Sequence, residues 1–557
     1  MFSIMAPIPG ILYVTMAPQP SLPPAQFHDW YQNEHGPGRL RLPQIFSNGF
    51  RYRATDGTDP EWMAIYDVTD VAWLTKDVYT TLRQDPKQSQ RERDTMKQIK
   101  VNRKFYDLVS ERKSDKFLEL EKVEYEGKES CAFVAALITL KDQSKKDEFD
   151  RWMEDEHIPM LMKVPGFRRA RRFISSHIEP PKDPNDTEYL ALYDYDVDVD
   201  FSCKEFKDAT STPWRTKIFD EVVKDKQRKQ FKLYYTFGPA PRDLASLTDS
   251  SVKPWVSKYH KTKTYPSEEG GWSAIESYVP AADGTPLHYR LEGATDLHAP
   301  LIVLDNSVLT DYGIWDNFVK HFLSQPENKQ YRILRFNKRG RFSSMGDTPV
   351  TMDLLAQDIA TLLDAFRVPK AAAVIGVSLG GATALNFALR YPDRVGKFIA
   401  CDTNPLAPAA NPKAWGERIE MAEKTGARSS DGETVVGEDL AEVTVRRWFV
   451  KESYEDAELA KEAERIKQMV SSNSLEGFKK GVKALYEYDL REGMKTATVP
   501  GAFVVGAGDG VLPKGMKQMN EDYAGKSEFF EIPRAGHLPM VEQPVAFSDI
   551  VTKVLKS

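Results

Sequence analysis

The pattern of hydrophobic and polar positions over residues 1–237 predicts the same order of elements twice. Each copy opens with an apolar strand, GILYVTM or CAFVAALITL, and continues with a helix whose apolar residues recur at helical spacing. A strand with basic residues, a strand of alternating character, a second helix (70–97 or 203–228) and a last strand follow. This order is that of a ferredoxin-like unit. We therefore expect one α+β unit in 1–120 and another in 121–237.

A motif is repeated in the first predicted helix of the two copies. FHDWYQNEH at 27–35 matches FDRWMEDEH at 149–157 without a gap, and both end in a Glu-His pair. Further along, EWMAIYDV aligns with EYLALYDY. A single ferredoxin-like unit leaves one apolar face of its sheet exposed, whereas two units can pack sheet to sheet and bury both faces. A duplication within one chain therefore predicts an intramolecular pair.

This duplicated pattern resembles the dimeric α/β-barrel superfamily, and the W-x-x-x-E-H element is most similar to its EthD-type members. The resemblance covers about residues 10–235. It implies that His35 and His157 lie at the mouth of a barrel cavity, as candidate acid–base groups of a second site. The alternative is that each histidine pairs with a neighbouring carboxylate and fixes the turn. Members of the superfamily carry out small-molecule chemistry, binding or scaffolding, so the fold alone does not decide.

The periodic pattern breaks over 238–272, which is rich in Pro, Ser, Lys and Gly. Such a composition is typical of a linker between two folded bodies. Trp255 and Tyr259 are the residues that we expect to fix this linker to one of the two bodies.

From residue 273 onward the pattern predicts a parallel sheet with helices on both faces. A hairpin is expected over 276–293 because two alternating runs flank an Asp-Gly turn. LIVLDN and RILRFNKRG are continuous apolar runs of the kind that form buried strands, and helical spacing follows in TMDLLAQDIATLLDAF. Between 404 and 495 the sequence has little strand character and predicts four helices, inserted into an α/β domain that covers 273–557.

The stretch VIGVSLGG contains one serine, Ser378, set between glycines at the end of an apolar run. G-x-S-x-G between a strand and a helix is the nucleophile elbow, a sharp turn that exposes the serine hydroxyl at the tip of a sheet. Glycine is expected at Gly376 and Gly380 because a Cβ there would clash as the chain reverses. Gly381 lets the helix begin close to the strand, and the helix N-terminus favours negative charge beside Ser378.

A nucleophilic serine needs a base, and the order Ser, Asp, His along the chain supplies one. His537, in AGHLPM, is the only histidine of the sequence after Ser378. Asp509, after the apolar strand of GAFVVGAG, is the expected acid, and Asp402, after KFIAC, is its rival. In the expected mechanism His537 takes the proton of Ser378, Asp509 orients the imidazole, and water releases an acyl-enzyme.

Several motifs of this half resemble the 3-oxoadipate enol-lactonase branch of the α/β-hydrolase family, namely DGTPLHYRLEG, LDNSVLTDYGIWD, RFNKRGRFSS, GVSLGGATAL and AGHLPMVEQP. The resemblance covers about residues 272–557. It implies a serine hydrolase whose oxyanion is held by the backbone N–H groups of Leu379 and Ser307. The chain departs from the branch at Leu309, where a glycine is common, and at Arg341, where a histidine is usual.

In the α/β-hydrolase family an insertion such as 404–495 forms a cap over the nucleophile and shapes the acyl pocket. The aromatic residues of the predicted cap that are candidates for lining this pocket are Trp448, Phe449, Phe478 and Tyr486. The alternative is that they pack the cap against the core. Arg446 and Arg447 are candidates for binding a substrate carboxylate, although a solvated helix face is the simpler explanation.

Composition narrows the classes of partner. The 557 residues carry 76 Lys and Arg against 82 Asp and Glu, so no strongly basic face for nucleic acid is expected. No apolar run approaches the roughly 20 residues that span a bilayer, and the N-terminus lacks the basic region of a signal peptide. Three widely spaced cysteines show neither a disulfide framework nor metal-ligand spacing. We expect a cytoplasmic protein without cofactor, metal or membrane partner. The sequence does not decide whether the protein forms a homo-oligomer.

Four functions are compatible with these motifs. The first is a serine hydrolase acting on an ester or lactone of a small hydrophobic metabolite, aromatic-derived or polyketide-like, as in secondary metabolism. The second is hydrolysis of a carbon–carbon bond by the same residues. The third is a bifunctional pathway enzyme whose barrel binds, cyclises or dehydrates the intermediate. The fourth is a non-catalytic binding protein on a hydrolase scaffold. The complete set of catalytic residues favours the first.

Overall fold

The computed structural model of the protein describes residues 6–119, 131–267 and 271–557. The chain divides into two compact units, Met1–Pro239 and Ala240–Ser557. Each unit has its own sheet and its own hydrophobic core, and each is described by itself below.

The segment 238–272, predicted as a linker, is largely part of the second unit. Val256–Ser257 and Thr262–Tyr265 are short strands at the edge of its sheet. The N–H of Thr264 donates to the carbonyl oxygen of Trp255 at 3.1 Å, so Trp255 is fixed within this unit. Strands of two and four residues are too short to produce a periodic sequence signal, which explains why the pattern did not predict them.

The described strands of the first unit close into an eight-stranded antiparallel barrel. They are β1 (Gly10–Pro18), β2 (Phe50–Ala54), β3 (Trp62–Val68), β4 (Ile99–Lys113), β5 (Cys131–Leu140), β6 (Phe167–Ser175), β7 (Glu188–Asp196) and β8 (Val223–Thr236). Around the barrel they follow the order β1-β3-β2-β8-β5-β7-β6-β4, so the four strands of each half of the unit are neighbours. One cluster of buried side chains, including Tyr52, Phe133 and Leu192, draws on all these strands and fills the interior.

Helices of the first unit pack on the outer face of the barrel strands. They are α1 (Pro24–Trp30), α2 (Gly36–Leu40), α3 (Asp77–Thr80), α4 (Gln90–Met96), α5 (Lys146–Trp152), α6 (Ile158–Leu161), α7 (Lys204–Ala209) and α8 (Pro213–Lys217). A π-helical turn joins α1 to α2 over Tyr31–His35, and another joins α5 to α6 over Met153–His157. Both copies of the repeated motif therefore wind in the same way and end at their histidine.

The second helices predicted over 70–97 and 203–228 are shorter and interrupted. Proline breaks the first one at Pro86. In the second, Pro213 begins a new helix whose N-cap is Thr212, and β8 begins at Val223, before the predicted helix would end. The charged residues at the start of β8 are exposed, so their spacing carried no signal for a strand.

The described strands of the second unit form one ten-stranded sheet in the order β18-β17-β16-β15-β13-β14-β12-β11-β10-β9. They are β9 (Val256–Ser257), β10 (Thr262–Tyr265), β11 (Ala274–Pro280), β12 (Pro286–Gly293), β13 (Leu301–Asp305), β14 (Arg332–Phe336), β15 (Ala371–Val377), β16 (Val395–Cys401), β17 (Gly501–Gly506) and β18 (Ser527–Ile532). β13 to β18 are parallel, and the predicted hairpin is β11–β12. The sheet thus has the predicted doubly covered, mostly parallel architecture.

The helices of the second unit alternate with the parallel strands and fill one insertion. They are α9 (Asp316–Ser324), α10 (Met352–Ala365), α11 (Leu379–Arg390), α12 (Asn411–Thr425), α13 (Glu438–Trp448), α14 (Ala457–Ser471), α15 (Leu475–Gly481), α16 (Arg491–Met494), α17 (Leu512–Asp522), α18 (Pro539–Glu542) and α19 (Pro544–Lys556). The insertion between β16 and β17 contains α12 to α15 at the four predicted helices, together with the short α16. In the described part of the chain, no helix combines the length and apolar character that crossing a bilayer requires.

Candidate active site

Ser378 stands at the turn between β15 and α11, as the elbow motif predicts. Its backbone angles, φ 57° and ψ −116°, lie in a region that residues with a side chain rarely adopt. Such a conformation costs about 1–3 kcal/mol and persists only where the surrounding structure imposes it. The N–H of Ser378 donates to the carbonyl oxygen of Cys401 at 2.8 Å, which ties the turn to β16. Ser378 also lines a cavity at this end of the sheet.

Three glycines make this turn sterically feasible. A Cβ on Gly376 would lie 2.0 Å from the carbonyl oxygen of Gly380, and a Cβ on Gly380 would lie 2.3 Å from the carbonyl oxygen of Asp305. A Cβ on Gly381 would lie 2.5 Å from the carbonyl oxygen of Cys401 in β16. These distances confirm the steric prediction for Gly376 and Gly380 and show that Gly381 allows α11 to pack closely on the sheet.

His537 lies on the wall of the same cavity as Ser378. Its Nδ1 is 2.7 Å from Oδ2 of Asp509. Asp509 follows β17 and His537 follows β18, so the carboxyl ends of neighbouring parallel strands bring the two together. The carboxylate of Asp509 can only accept, which assigns the ring proton to Nδ1 and leaves Nε2 as a proton acceptor. The three residues expected to act together therefore meet at one end of the sheet.

The imidazole of His537 is held by groups from the insertion. The backbone N–H of His537 donates to the carbonyl oxygen of Trp448 at 2.7 Å, and the rings of the two residues stack with centroids 5.7 Å apart. Glu542 accepts from the N–H of Gly536 at 2.6 Å and from the N–H of Val450 at 3.0 Å. Glu542 thereby joins the histidine loop to the end of α13. The sequence offered little signal for Glu542, because a carboxylate in MVEQP is equally compatible with an exposed helix end.

Asp402, the rival acid, is a buried carboxyl beside this pair. Its Oδ1 accepts from the N–H of Gly506 at 2.9 Å, whereas no N–H or O–H donor among the described residues reaches its Oδ2. One oxygen of Asp402, one of Asp509 and a ring nitrogen of His537 lie within 4.8 Å of one another. Burial, reinforced by the negative charge of Asp509, raises the pKa of Asp402 well above its usual value. Both effects favour the neutral form of Asp402, the carboxyl group beside Asp509.

The same three side chains are the set of ligand-type atoms, among the described residues, that lies close enough to hold a metal ion. The hydrogen bond between His537 and Asp509 accounts for their proximity without an ion. A ring nitrogen engaged in this bond is not free to coordinate a cation at the same time.

The cavity in front of Ser378 encloses about 550 Å³ of space, part of which is open solvent. Of the predicted pocket residues, Trp448 lines it, whereas Phe449 and Phe478 do not. Phe478 instead packs against Trp415 with ring centroids 6.0 Å apart. Helical spacing marked all these residues as buried, but it does not tell which buried face of a helix meets a cavity and which meets a neighbouring helix.

The aromatic wall of the cavity was only partly predicted. Trp415 of α12 and Tyr488 line it together with Trp448. The sequence suggested Tyr486, which lies two positions before Tyr488. Without a regular helical spacing in this segment, the sequence could not tell which of the two tyrosines meets the cavity. The wall therefore presents three large aromatic side chains close to Ser378 and His537.

The loop after β13 approaches Ser378 from the other side. Ser307 is completely buried and is not part of the cavity wall, whereas the next residue, Val308, lines it. Leu309 has φ 64°, a left-handed conformation that accounts for the glycine common at this position in the enol-lactonase branch. Leu379 is the first residue of α11, so its N–H is one of the donors that the helix leaves unpaired.

The three arginines singled out in the sequence have different roles. Arg341 donates to the carbonyl oxygen of Met469 at 2.6 Å, so it ties its loop to α14 and does not line the cavity. Arg446 is exposed and pairs with Glu442 at 2.8 Å, as a solvated helix face predicts. Arg447 lines the cavity, and no carboxylate among the described residues pairs with its guanidinium. Both Arg446 and Arg447 are exposed, and Arg447 is the one that also reaches the cavity.

The two histidines of the repeated motif are not equivalent. Nδ1 of His35 lies 3.0 Å from Glu92 of α4, so His35 has a carboxylate partner, although not the neighbouring one that the alternative interpretation expects. Nδ1 of His157 is buried and has no partner among the described residues. Burial lowers the pKa of both histidines to about 4.

Comparison with known proteins gives a consistent result for the second unit. A family model described as the alpha/beta hydrolase fold matches residues 300–544. The chain is 26% identical to 3-oxoadipate enol-lactonase 2 of Acinetobacter baylyi over 276 residues, which are 49% of this chain and 95% of that protein. It is 30% identical over 196 residues to a pimeloyl-[acyl-carrier protein] methyl ester esterase of Pectobacterium carotovorum, covering 35% of this chain and 73% of that protein. A solved enol-lactonase from Burkholderia xenovorans is 27% identical, with 50% of this chain and 100% of that chain covered and a TM-score of 0.44.

Proposed function

Because this chain belongs to the alpha/beta hydrolase family, we propose that it hydrolyses an ester or lactone of a small hydrophobic acid through an acyl-enzyme on Ser378. One observation carries the proposal. Ser378, in its strained backbone conformation, lines the same cavity as His537, whose Nδ1 is hydrogen-bonded to Asp509 at 2.7 Å. The relatives named above are, by their names, a lactonase and an esterase, which supports the ester or lactone bond as the one that is cleaved.

The proposed reaction uses the side chains of Ser378, His537 and Asp509 and one water molecule. Nε2 of His537 takes the proton of the Ser378 hydroxyl while the oxygen attacks the carbonyl carbon of the substrate. Asp509 keeps the ring in its Nδ1–H tautomer and stabilises the imidazolium. His537 then gives the proton to the leaving alkoxide, which departs as an alcohol or as the hydroxyl end of an opened lactone. A water activated by His537 releases the acid and restores Ser378.

Two backbone N–H groups are proposed to hold the oxyanion of the tetrahedral intermediate. One is that of Leu379, at the N-terminus of α11. For the other, the sequence indicated Ser307, but Val308 is the residue of this loop that lines the cavity. We therefore assign the second donor to Val308. The left-handed turn at Leu309 fixes the direction of this loop.

The substrate is proposed to carry a carboxylate in addition to the bond that is cleaved. Arg447 lines the cavity without an ion pair among the described residues, and burial lowers its pKa, so an anionic ligand would restore the lost solvation. Trp415, Trp448 and Tyr488 provide apolar surface for the acyl chain. A half-ester of a dicarboxylic acid, or a lactone that bears a carboxyl group, fits both features.

A pair of substrates tests this function and its specificity. Methyl half-esters of dicarboxylic acids are compared with the neutral dimethyl esters in wild type, R447Q and the matched control R446Q. We expect R447Q to raise KM for the half-esters by about tenfold or more, the effect of one lost charge-assisted hydrogen bond, and to leave the diesters unaffected. R446Q should change neither. Turnover that persists in S378A would contradict the serine mechanism.

The first unit is proposed to be a duplicated pair of ferredoxin-like units. The strand order β4-β1-β3-β2 in one half and β8-β5-β7-β6 in the other supports a duplication, as do the π-helical turns at the two motifs. All three cysteines, which lie within the described residues, are free, and this supports the reducing, cytoplasmic compartment expected from the sequence.

A further inference from the structure

A recess lies between the helices and the sheet in the second half of the barrel unit. It encloses about 670 Å³ of space, part of which is open solvent. Strands β5, β7 and β8 form its floor through small and aromatic side chains such as Ala136, Ala191 and Tyr193. Trp152 and His157 of the repeated motif contribute to its wall. The recess is separate from the filled interior of the barrel, because its residues belong to the core between sheet and helices.

The corresponding space in the first half is filled by bulky side chains. Alignment of the two motifs pairs Tyr31 with Met153 and Arg39 with Leu161. Tyr31 and Arg39 are buried, and the ring of Tyr31 lies 5.5 Å from that of Phe237. Phe237 in turn stacks on Tyr66, which aligns with Tyr193, at 5.7 Å. These side chains occupy the level at which the second half carries only Met153 and Leu161, so the duplication has kept an open recess in one copy.

His157 contributes its ring to the wall of this recess. Its ring stacks on Trp152 with centroids 4.6 Å apart, which fixes its orientation. Nδ1 is buried without a partner among the described residues, and such a group is costly unless a ligand or water satisfies it. Burial lowers the pKa of His157 to about 4, so the ring is neutral at pH 7 and accepts a hydrogen bond from a hydroxyl or N–H donor.

Three cations line the same recess. Arg215, Lys226 and Arg228 contribute to its wall, and none of them has a carboxylate partner among the described residues. Arg215 and Lys226 lie over the ring of Phe219, at 4.4 and 4.5 Å from its centre. Lys226 and Arg228 are exposed, so they lie at the open side of the recess, and partial burial lowers the pKa of Arg228. An apolar recess with positive charge at its opening is complementary to an apolar anion.

We propose that this recess binds a small aromatic or otherwise apolar anion that also carries a hydroxyl group, with the hydroxyl on Nδ1 of His157 and the anionic group among Arg215, Lys226 and Arg228. The apolar body of the ligand contacts Trp152, Tyr193 and Phe219. Opening of a lactone produces a carboxylate and a hydroxyl in one molecule, so a hydroxy acid released by the second unit belongs to this class. That connection rests on the proposed function, whereas binding to the recess does not.

Titration calorimetry on the full-length S378A/R447Q protein tests the proposal, since these changes leave the barrel untouched, prevent hydrolysis and remove the arginine of the Ser378 cavity. The probe is 3-hydroxybenzoate, whose hydroxyl cannot bond to its own carboxylate, with benzoate lacking the donor and phenol lacking the charge. We expect one saturable site per chain that binds 3-hydroxybenzoate most tightly and phenol at least about tenfold more weakly, as for a lost charge-assisted contact. R228Q should weaken 3-hydroxybenzoate by about tenfold, whereas K207Q, an exposed α7 residue with the same charge change, should not.

Filling the recess provides the decisive arm of the experiment. M153Y gives the second half the larger side chain of the first without adding a charge, and we expect this variant to abolish binding while its ester hydrolysis in the Ser378 background stays unchanged. R228Q serves as a second, less invasive variant if M153Y lowers stability. Absence of saturable binding for all three compounds would overturn the proposal, and so would binding that survives M153Y. Neither result bears on whether Ser378 is a nucleophile, which is measured independently.

Discussion

Replacing Asp402 with asparagine distinguishes the roles of the two carboxyl groups beside His537. Asp402 is 1% exposed, has φ 45°, accepts from the Gly506 N–H and has a carboxyl oxygen within 4.8 Å of one of Asp509. An asparagine reproduces a neutral aspartic acid at this position, because its carbonyl accepts from Gly506 and its amide donates to Asp509. Asparagine also tolerates a left-handed backbone conformation. We therefore expect D402N to fold normally and to retain kcat/KM within about threefold, less than one ordinary hydrogen bond.

Alanine at the same position removes both interactions. The buried Gly506 N–H loses its acceptor, which costs about 1–3 kcal/mol, and a positive φ costs alanine about 1–2 kcal/mol more. The sum predicts that D402A is about 2–5 kcal/mol less stable than wild type. Asp509, in contrast, orients the base, and loss of this function typically lowers kcat by about 10⁴. D509N should therefore lose nearly all activity without a comparable loss of stability.

The assay combines steady-state hydrolysis of an activated ester with urea unfolding of wild type, D402N, D402A and D509N. The titratable groups around Asp402 are those of Asp509, His537, Glu542, Arg447 and Cys401. Activity should therefore be compared across pH 6–9 to separate a shifted profile from a lower maximum. The reasoning is refuted if D402N is inactive while D509N retains activity, because Asp402 would then be the ionised acid.

Three further predictions concern the same side chains and the barrel. W448F should keep the stacking on His537 and most of the activity. W448A removes a buried aromatic side chain, so its free energy of unfolding in urea should be about 3–5 kcal/mol lower than that of wild type. Equal stability of the two variants would contradict this. L309G removes a backbone strain of about 1–2 kcal/mol, because glycine adopts a positive φ freely. It also removes a buried leucine side chain whose burial contributes about 2–3 kcal/mol, so we expect L309G to be about 1 kcal/mol less stable than wild type. A more stable L309G would show that the strain is the larger effect. The pKa of His35 and of His157 is lowered to about 4, so between about pH 6.5 and 4 the unfolded chain binds protons that the folded chain does not. The free energy of unfolding should therefore decrease as the pH is lowered from about 6.5 to 4, by up to about 1.4 kcal/mol per pH unit for each histidine. H157Q should reduce this slope, and an unchanged slope would contradict the assignment.

The elements that a sequence specifies locally were predictable. The turn around Ser378 requires glycines that have no other explanation at that spacing, and the buried strands on either side are continuous apolar runs. The choice of His537 followed from its being the single histidine of the sequence after the serine. The duplicated motif likewise predicted two equivalent helices, and in the structure both copies contain a π-helical turn that ends at the histidine.

The parts that depend on tertiary packing were not predictable. Helical spacing could not decide that Trp415 and Tyr488, instead of Phe449 and Phe478, meet the cavity. Asp402 and Glu542 become important because strands and loops distant in sequence bury them beside His537, and nothing local marks a buried carboxyl. The open recess beside His157 also depends on the absence of side chains that fill the first copy, which only a comparison in space reveals.

Covalent labelling of Ser378 tests the central claim most directly. Wild type, S378A and H537Q are exposed briefly to a fluorophosphonate, and the intact mass of each protein is measured. The account predicts a single adduct on wild type, none on S378A and much slower labelling of H537Q, because the hydroxyl is activated by the imidazole. A folded wild type that forms no adduct, or an adduct that persists in S378A, would contradict the assignment of Ser378 as the nucleophile.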